Sequence, residues 1–134
     1  MTAASPIYVS SELLVQLHDR VIGRLGGRPG IRDHAALESS LAQPAMNVFG
    51  RERFESLHDK AGAYCFFVAQ NQPFFDGNKR AGFLAAIAFL IQNGVIPQFD
   101  NDEIYELLMS TANDDVDVDQ FLVQFRRADK SLPS

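Results

Sequence analysis

Apolar residues recur at helical spacing along most of the chain, and the breaks between runs predict about six helices. In VSSELLVQLHDRVIGRLGG, residues Leu13, Leu14, Leu17, Val21, Ile22 and Leu25 share a face. Ser10 or Ser11 is placed as N-cap, and Gly26-Gly27 stops the run. Arg28-Pro29-Gly30 reads as a turn, after which Asp33 caps HAALESSLA and Pro44 closes it. FESLHDKAGAYCFFVAQN predicts a third helix over 53–71, apolar on every side in its second half. NKRAGFLAAIAFLIQN predicts a fourth, apolar all round from Phe83 to Ile91 until Asn93-Gly94. Helices without a polar face are central ones, so these two are expected as antiparallel neighbours in mid-bundle. The chain restarts between Asp100 and Asp102 with DEIYELLMSTAN, and VDQFLVQFRRA makes a sixth helix capped by Asp117 or Asp119. No long window alternates as a strand does. Only QPAMNVFG, residues 43–50, suits a short extended segment or hairpin. The expectation is all-α: one compact domain over 1–134, a bundle of about six helices with a short flap near 43–50.

Composition supports one ordinary core, at 134 residues with 46% hydrophobic and 22% charged. The single cysteine, Cys65, forbids an intramolecular disulfide, and its apolar setting predicts a buried, inert thiol in a reducing, cytoplasmic compartment. The N-terminus lacks the basic-then-apolar pattern of an export signal. The longest apolar run, 81–91, is too short for a bilayer, so no membrane partner is expected. Net charge is −5 but unevenly spread: 100–120 holds eight acidic residues and no Lys or Arg, whereas elsewhere 12 basic residues face 9 acidic ones. Scattered arginines in an acidic protein make no basic stripe, which argues against nucleic acid as a direct partner. The block DDVDVD, 114–119, lacks the Gly and terminal Glu of a calcium loop and reads as a solvated acidic surface and helix cap.

The chemistry concentrates in QPFFDGNKR, residues 72–80, just before the fourth helix. Lys79 and Arg80 fall in its first turn, where the positive end of the helix dipole disfavours cations unless an anion lies between. Gly77 permits close backbone approach, the following N–H groups point outward, and Asp76 is a hard oxygen ligand suited to Mg²⁺ beside phosphates. The plainer alternative is an Asp-Gly-Asn turn with ordinary capping, on which the two cations are an accident of surface composition. Phe74 and Phe75 suit core and rim, with Phe anchoring the loop to the bundle.

QPFFDGNKRAG resembles the core motif of the Fic/Doc family, H-P-F-x-D/E-G-N-G-R. Lys79 in place of the second Gly is the mark of the death-on-curing (Doc) branch. LHDRVIGRLGGRPGIRDHAALESSLAQP also resembles the Doc N-terminal half, so the likeness covers nearly the whole chain. The resemblance implies a toxin of a toxin–antitoxin pair, a phosphotransferase that moves the ATP γ-phosphate to a hydroxyl of a translation elongation factor. Adenylyl transfer by the same fold is the alternative. It further implies Asp76 as Mg²⁺ ligand and a phosphate nest from the Gly77 and Asn78 backbone and the Asn78 amide. Lys79 and Arg80 would hold the triphosphate, and Phe74 would join the nucleotide contacts. The implied antitoxin carries a disordered tail that folds to a helix in a groove bordered by the first helix, 43–50 and the last two helices. The acidic 100–119 region favours basic residues on that tail.

Gln72 departs from the family pattern, standing where the motif histidine would take the acceptor hydroxyl's proton. An amide can orient a hydroxyl but cannot accept that proton near neutral pH, and a positioned base is typically worth about 10²- to 10⁴-fold. A catalytically silent nucleotide- or partner-binding protein is therefore a further alternative. No other histidine is expected at the motif. His58 lies fourteen residues earlier in sequence, roughly 20 Å along a helix, while His18 and His34 sit on the first two helices as surface or interhelical residues.

Overall fold

Side-chain caps fix where most helices begin. Ser10 accepts from the Leu13 N–H, Asp33 from Ala36, Ser56 from Asp59, Asp100 from Glu103 and Asp117 from Gln120, whose side chain completes a capping box. In the computed structural model, which describes residues 5–111 and 116–133, these caps open five helices. They are α1 (Ser11–Leu25), α2 (His34–Ala42), α3 (Leu57–Asn71), α5 (Asn101–Ser110) and α6 (Val118–Ala128). The remaining helix, α4 (Asn78–Gln92), has no side-chain cap. The described residues thus form the expected all-α bundle. The third helix starts at Leu57 rather than 53 because Ser56 takes the cap and 53–55 lead out of a hairpin. The fifth ends at Ser110, and Ala112 to Asp115 lie outside the described residues.

The 43–50 segment is a short 3-10 turn, Gln43–Ala45, followed by β1 (Asn47–Val48) and β2 (Arg51–Glu52). The strands pair antiparallel as Asn47 with Glu52 and Val48 with Arg51, across a two-residue turn in which Phe49 and Gly50 both have positive φ, 52° and 79°. Lys60 of α3, only 1% exposed, holds the hairpin from beneath, pairing with Glu52 at 3.1 Å and donating to the Phe54 carbonyl.

The loop 72–77 reverses the chain so that α4 runs back along α3, and small residues line their seam. Ala61, Ala63, Cys65, Ala69, Ala81, Ala85 and Ala86 are all buried, and at Gly82 a Cβ would stand 2.7 Å from the Cys65 carbonyl oxygen. Helix α6 covers the far side of α3, laying Leu122 and Phe125 over Gly62. Phe66, Phe121, Phe125 and Phe99 continue this contact as a chain of rings with centroids 4.8–6.0 Å apart. Burial pushes the Cys65 thiol pKa up, which leaves it inert. No helix among the described residues is long and apolar enough to cross a membrane.

Asp129 fastens the chain's end to the bundle. It is 2% exposed, takes His58 Nε2 at 2.6 Å on one oxygen, and accepts from the Gln98 and Ser131 N–H groups and the Ser131 hydroxyl on the other. Burial alone would raise its pKa, but these bonds outweigh burial and hold it below the usual carboxylate value.

The seam yields a test of opposite signs. Gly23, inside α1, has nothing within 4 Å of an added Cβ, so Gly23→Ala should stabilise by about 0.5–1 kcal/mol through helix propensity. Gly82→Ala gains the same propensity but drives a methyl into backbone, and should destabilise by about 1–3 kcal/mol. Urea midpoints at unchanged m-value read both, and shifts of the same sign would contradict the close α3–α4 approach.

Candidate functional site

The uncapped end of α4 is where backbone donors remain free. Gly77 stands at its N-cap with φ 76°, and the helical ladder begins only with the Ala81 N–H bonding the Gly77 carbonyl at 2.9 Å. The N–H groups of Asn78, Lys79 and Arg80 have no acceptor among the described residues. Lys79 is half-buried and Arg80 exposed, and neither pairs with an acidic side chain among the described residues. A cavity of about 200 Å³ opens here, lined by Ala69, Gln72, Phe75, Asp76, Gly77, Asn78 and Lys79.

The loop before α4 is held by a strap between α1 and α2. The Phe75 N–H bonds the Gly30 carbonyl at 3.4 Å, Ile31 bridges Phe74 antiparallel, and the Pro73 carbonyl accepts from the Arg32 and Asp33 N–H groups at 2.7 and 3.1 Å. The Arg32 guanidinium reaches the carbonyls of Gln72 at 2.8 Å and Asn71 at 3.1 Å. A cation thus meets the negative end of α3. At the strap's start the Arg28 N–H donates to Asp76 Oδ2 at 2.6 Å, and the Arg28 guanidinium lies 3.7 Å from the centroid of the Phe75 ring. Gly27 is needed there, since its Cβ would stand 3.2 Å from Asp76 Cβ.

These contacts sort the residues expected at the site. Gln72, Asp76 and Lys79 come together around the cavity, whereas Arg80, next in the first turn of α4, is exposed and not part of its lining. Gln72 adopts the left-handed conformation, φ 49° and ψ 59°, at the end of α3. This is a strained position for most side chains, and one in which Asn, Asp and His are enriched. Asp76 gives one oxygen to the strap, and its other oxygen has no partner among the described residues. The Asn78 amide is not free to join a nest: its oxygen accepts from the Phe74 N–H at 2.9 Å and its nitrogen donates to the Phe74 carbonyl at 3.0 Å, clasping the loop. Only the Asn78 backbone N–H faces outward. Phe74 is 1% exposed, so its ring anchors the loop instead of meeting a nucleotide, and Phe75, 37% exposed, forms the rim.

The expectation that no other histidine reaches the motif is corrected at His18. Its ring stacks on Phe74 at 3.8 Å and 7°, and Nε2 lies 2.7 Å from the Asp76 carbonyl oxygen. The available signal was its place on the stripe Leu14, His18, Val21, all buried, because a polar group on a core stripe needs a partner. His58 serves Asp129, and His34 is exposed at the start of α2. Arg28 and Arg32 were also missed, for sequence does not tell where a turn folds back. Among the described residues, no three His, Cys, Asp or Glu side chains gather as a metal site. Mg²⁺ beside phosphates needs only one or two carboxylates, which the free Asp76 oxygen satisfies.

A second cleft, about 1370 Å³, opens between α5, α6 and residues 130–133, with Leu107, Val116, Val123 and Leu132 in its lining. Neither α1 nor the hairpin borders it, whereas the groove expected from sequence has both at its border.

The Fic/DOC family model matches residues 8–90. The chain is 36% identical over 101 residues to Toxin Doc of Mycolicibacterium smegmatis, covering 74% of this chain and 78% of that one. It is 32% identical over 120 residues to Protein kinase doc of Escherichia phage P1, covering 90% and 94%.

Removing the clasp isolates its contribution. Asn78→Ala deletes two hydrogen bonds to Phe74 and should lower stability by about 1–3 kcal/mol. Amide exchange at Phe74 should quicken in the variant. Unchanged protection there would show that the strap alone closes the loop.

Proposed function

This chain belongs to the Fic/DOC family, and from that premise we propose that it is a Doc-like toxin acting in the cytoplasm. In this reading it transfers the γ-phosphate of ATP to a hydroxyl of a translation elongation factor. The observation that carries the reading is the start of α4: free N–H groups, the unpaired Lys79 and an Asp76 oxygen without a partner line one cavity, and the exposed, unpaired Arg80 follows in the same helical turn. Lone cations at a helix N-terminus call for a multiply charged anion, and a relative named a protein kinase supports a nucleotide as its source. The cavity is smaller than the roughly 300–1,000 Å³ typical of whole-ligand pockets, so it suits the phosphates rather than the entire nucleotide.

Each residue then has a task. Lys79 and Arg80 bind the phosphate oxygens and the first-turn N–H groups orient them, while Asp76 would hold Mg²⁺, which would supply charge neutralisation there. Bulky Lys79 fills space that Gly leaves open in the general Fic motif, which favours phosphate over AMP transfer. Gln72 lines the mouth and orients the acceptor hydroxyl by hydrogen bonding. Phosphoryl transfer leans on positioning and charge more than on a strong base, so turnover persists at a reduced rate. A catalytically silent binding role is the second reading, favoured by Gln72.

Two measurements decide among these. Asp76→Ala and Arg80→Ala should each weaken ATP–Mg²⁺ binding by about 1.5–3 kcal/mol in calorimetry. Intact-mass analysis of the elongation factor should show a phosphate-sized gain that Gln72→His raises by about 10²- to 10⁴-fold at constant affinity. An AMP-sized gain would favour adenylyl transfer, and no gain with either protein would favour the silent role.

The α5–α6 cleft is the proposed seat of an antitoxin tail that folds on binding, its apolar side facing Leu107, Val123 and Leu132. Glu106 and Arg127 in the lining have no ion-pair partner among the described residues, so Glu106 suits a basic and Arg127 an acidic residue on the tail. The C-terminal peptide of the neighbouring gene's product should gain helicity by circular dichroism on binding and bind more weakly as salt rises. Binding without gain of helix would count against this seat.

A further inference from the structure

The proposed reaction leaves His18 without a task, although it is 1% exposed directly beneath the motif loop. Its Nε2 lies 2.7 Å from the Asp76 carbonyl oxygen. A carbonyl only accepts, so Nε2 carries the hydrogen, and in that tautomer Nδ1 is an acceptor. Nδ1 is buried with no hydrogen-bond partner among the described residues. An orphaned acceptor in the core is unfavourable, and an apolar residue stacked on Phe74 would avoid it. Packing alone therefore does not explain a histidine here.

The peptide geometry does. No cis peptide bond occurs among the described residues, and in a planar trans peptide the N–H points opposite the C=O. Because the Asp76 carbonyl is drawn onto α1, the Gly77 N–H is turned away from α1, on the side where Asp76, Gly77 and Asn78 line the cavity. That N–H has no acceptor among the described residues. Gly77, at φ 76°, is the residue whose freedom would otherwise let this peptide turn over. The loop lies beside α1, since a Cβ at Gly77 would be in ordinary contact with Val21, Ile22 and His18 Nε2 at 3.5–3.6 Å.

We propose that His18 is a positioning residue: by holding the Asp76 carbonyl, it aims the Gly77 N–H at the bound polyphosphate. It thereby adds one fixed donor to those of the first turn of α4. The inference rests on the reading that this loop takes a polyphosphate. Affinity for the phosphates should depend on a donor at position 18, not merely on a side chain that fills the space.

Two substitutions separate these roles. His18→Leu fills the site without a donor, whereas His18→Gln places an amide N–H near the position of Nε2. Titration calorimetry with inorganic triphosphate and Mg²⁺ reads the phosphates without base or ribose. Loss of a hydrogen bond aimed at a charged group should weaken binding by about tenfold or more in His18→Leu, while His18→Gln restores most of it. Equal loss in both variants, or none in His18→Leu, overturns the role of His18. Absence of binding by the unaltered protein overturns the polyphosphate reading itself, which is a separable result. Independently of any variant's folding, ¹⁵N NMR of the unaltered protein should find the proton on Nε2, and a proton on Nδ1 alone would overturn the proposal.

Discussion

The motif loop keeps its shape because a strap from elsewhere in the chain bonds to it almost residue by residue. Fixing a residue's backbone costs about 1–2 kcal/mol in conformational entropy, and the loop has no ladder of its own to offset that. The strap supplies one: Gly30, Ile31, Arg32 and Asp33 meet Phe75, Phe74 and Pro73, while Arg32 reaches past them to the end of α3. The strap is anchored at both ends by α1 and α2, so four helices jointly hold a handful of donors in place. Such a site is ordered before anything binds, and a ligand does not have to order it.

Much of this was legible in sequence because local chemistry decided it. The caps at Ser10, Asp33, Asp100 and Asp117, the apolar third and fourth helices and the short segment near 43–50 all follow from residue type and period. That Gln72, Asp76 and Lys79 lie close together was legible for a similar reason, since they fall within eight residues and the turn alone brings them to one cavity. The illegible part is non-local. His18 lies 58 residues from Asp76 and Arg32 lies 40 from Gln72, and no pattern within either segment states that they meet. Phe74 takes the core place its residue type suggested, and only the nucleotide contact implied by resemblance fails for it, as the outward amide does for Asn78. A motif names residues without saying which atoms face outward, and here the Asn78 amide and the Phe74 ring both face in.

In the proposed reading, binding and proton transfer would be separated within one motif. Charge, donors and loop clasp reside in the backbone and in Asp76 to Arg80, whereas proton acceptance would reside in one side chain at position 72. That position is left-handed, a conformation set by the helix end and by Arg32 on its carbonyl rather than by the glutamine. Exchanging the side chain there alters the chemistry while leaving the frame in place.

The hairpin carries Phe49 at its tip, fully exposed at 102%, with Val48 beside it at 44%. A bare aromatic beside exposed strand edges is ordinarily an invitation to self-association, since an unpaired edge can template a second strand. Here each strand is only two residues long and the turn reverses immediately, leaving too few edge groups to recruit another chain. The protein can therefore keep an adhesive side chain permanently in water without seeding aggregates.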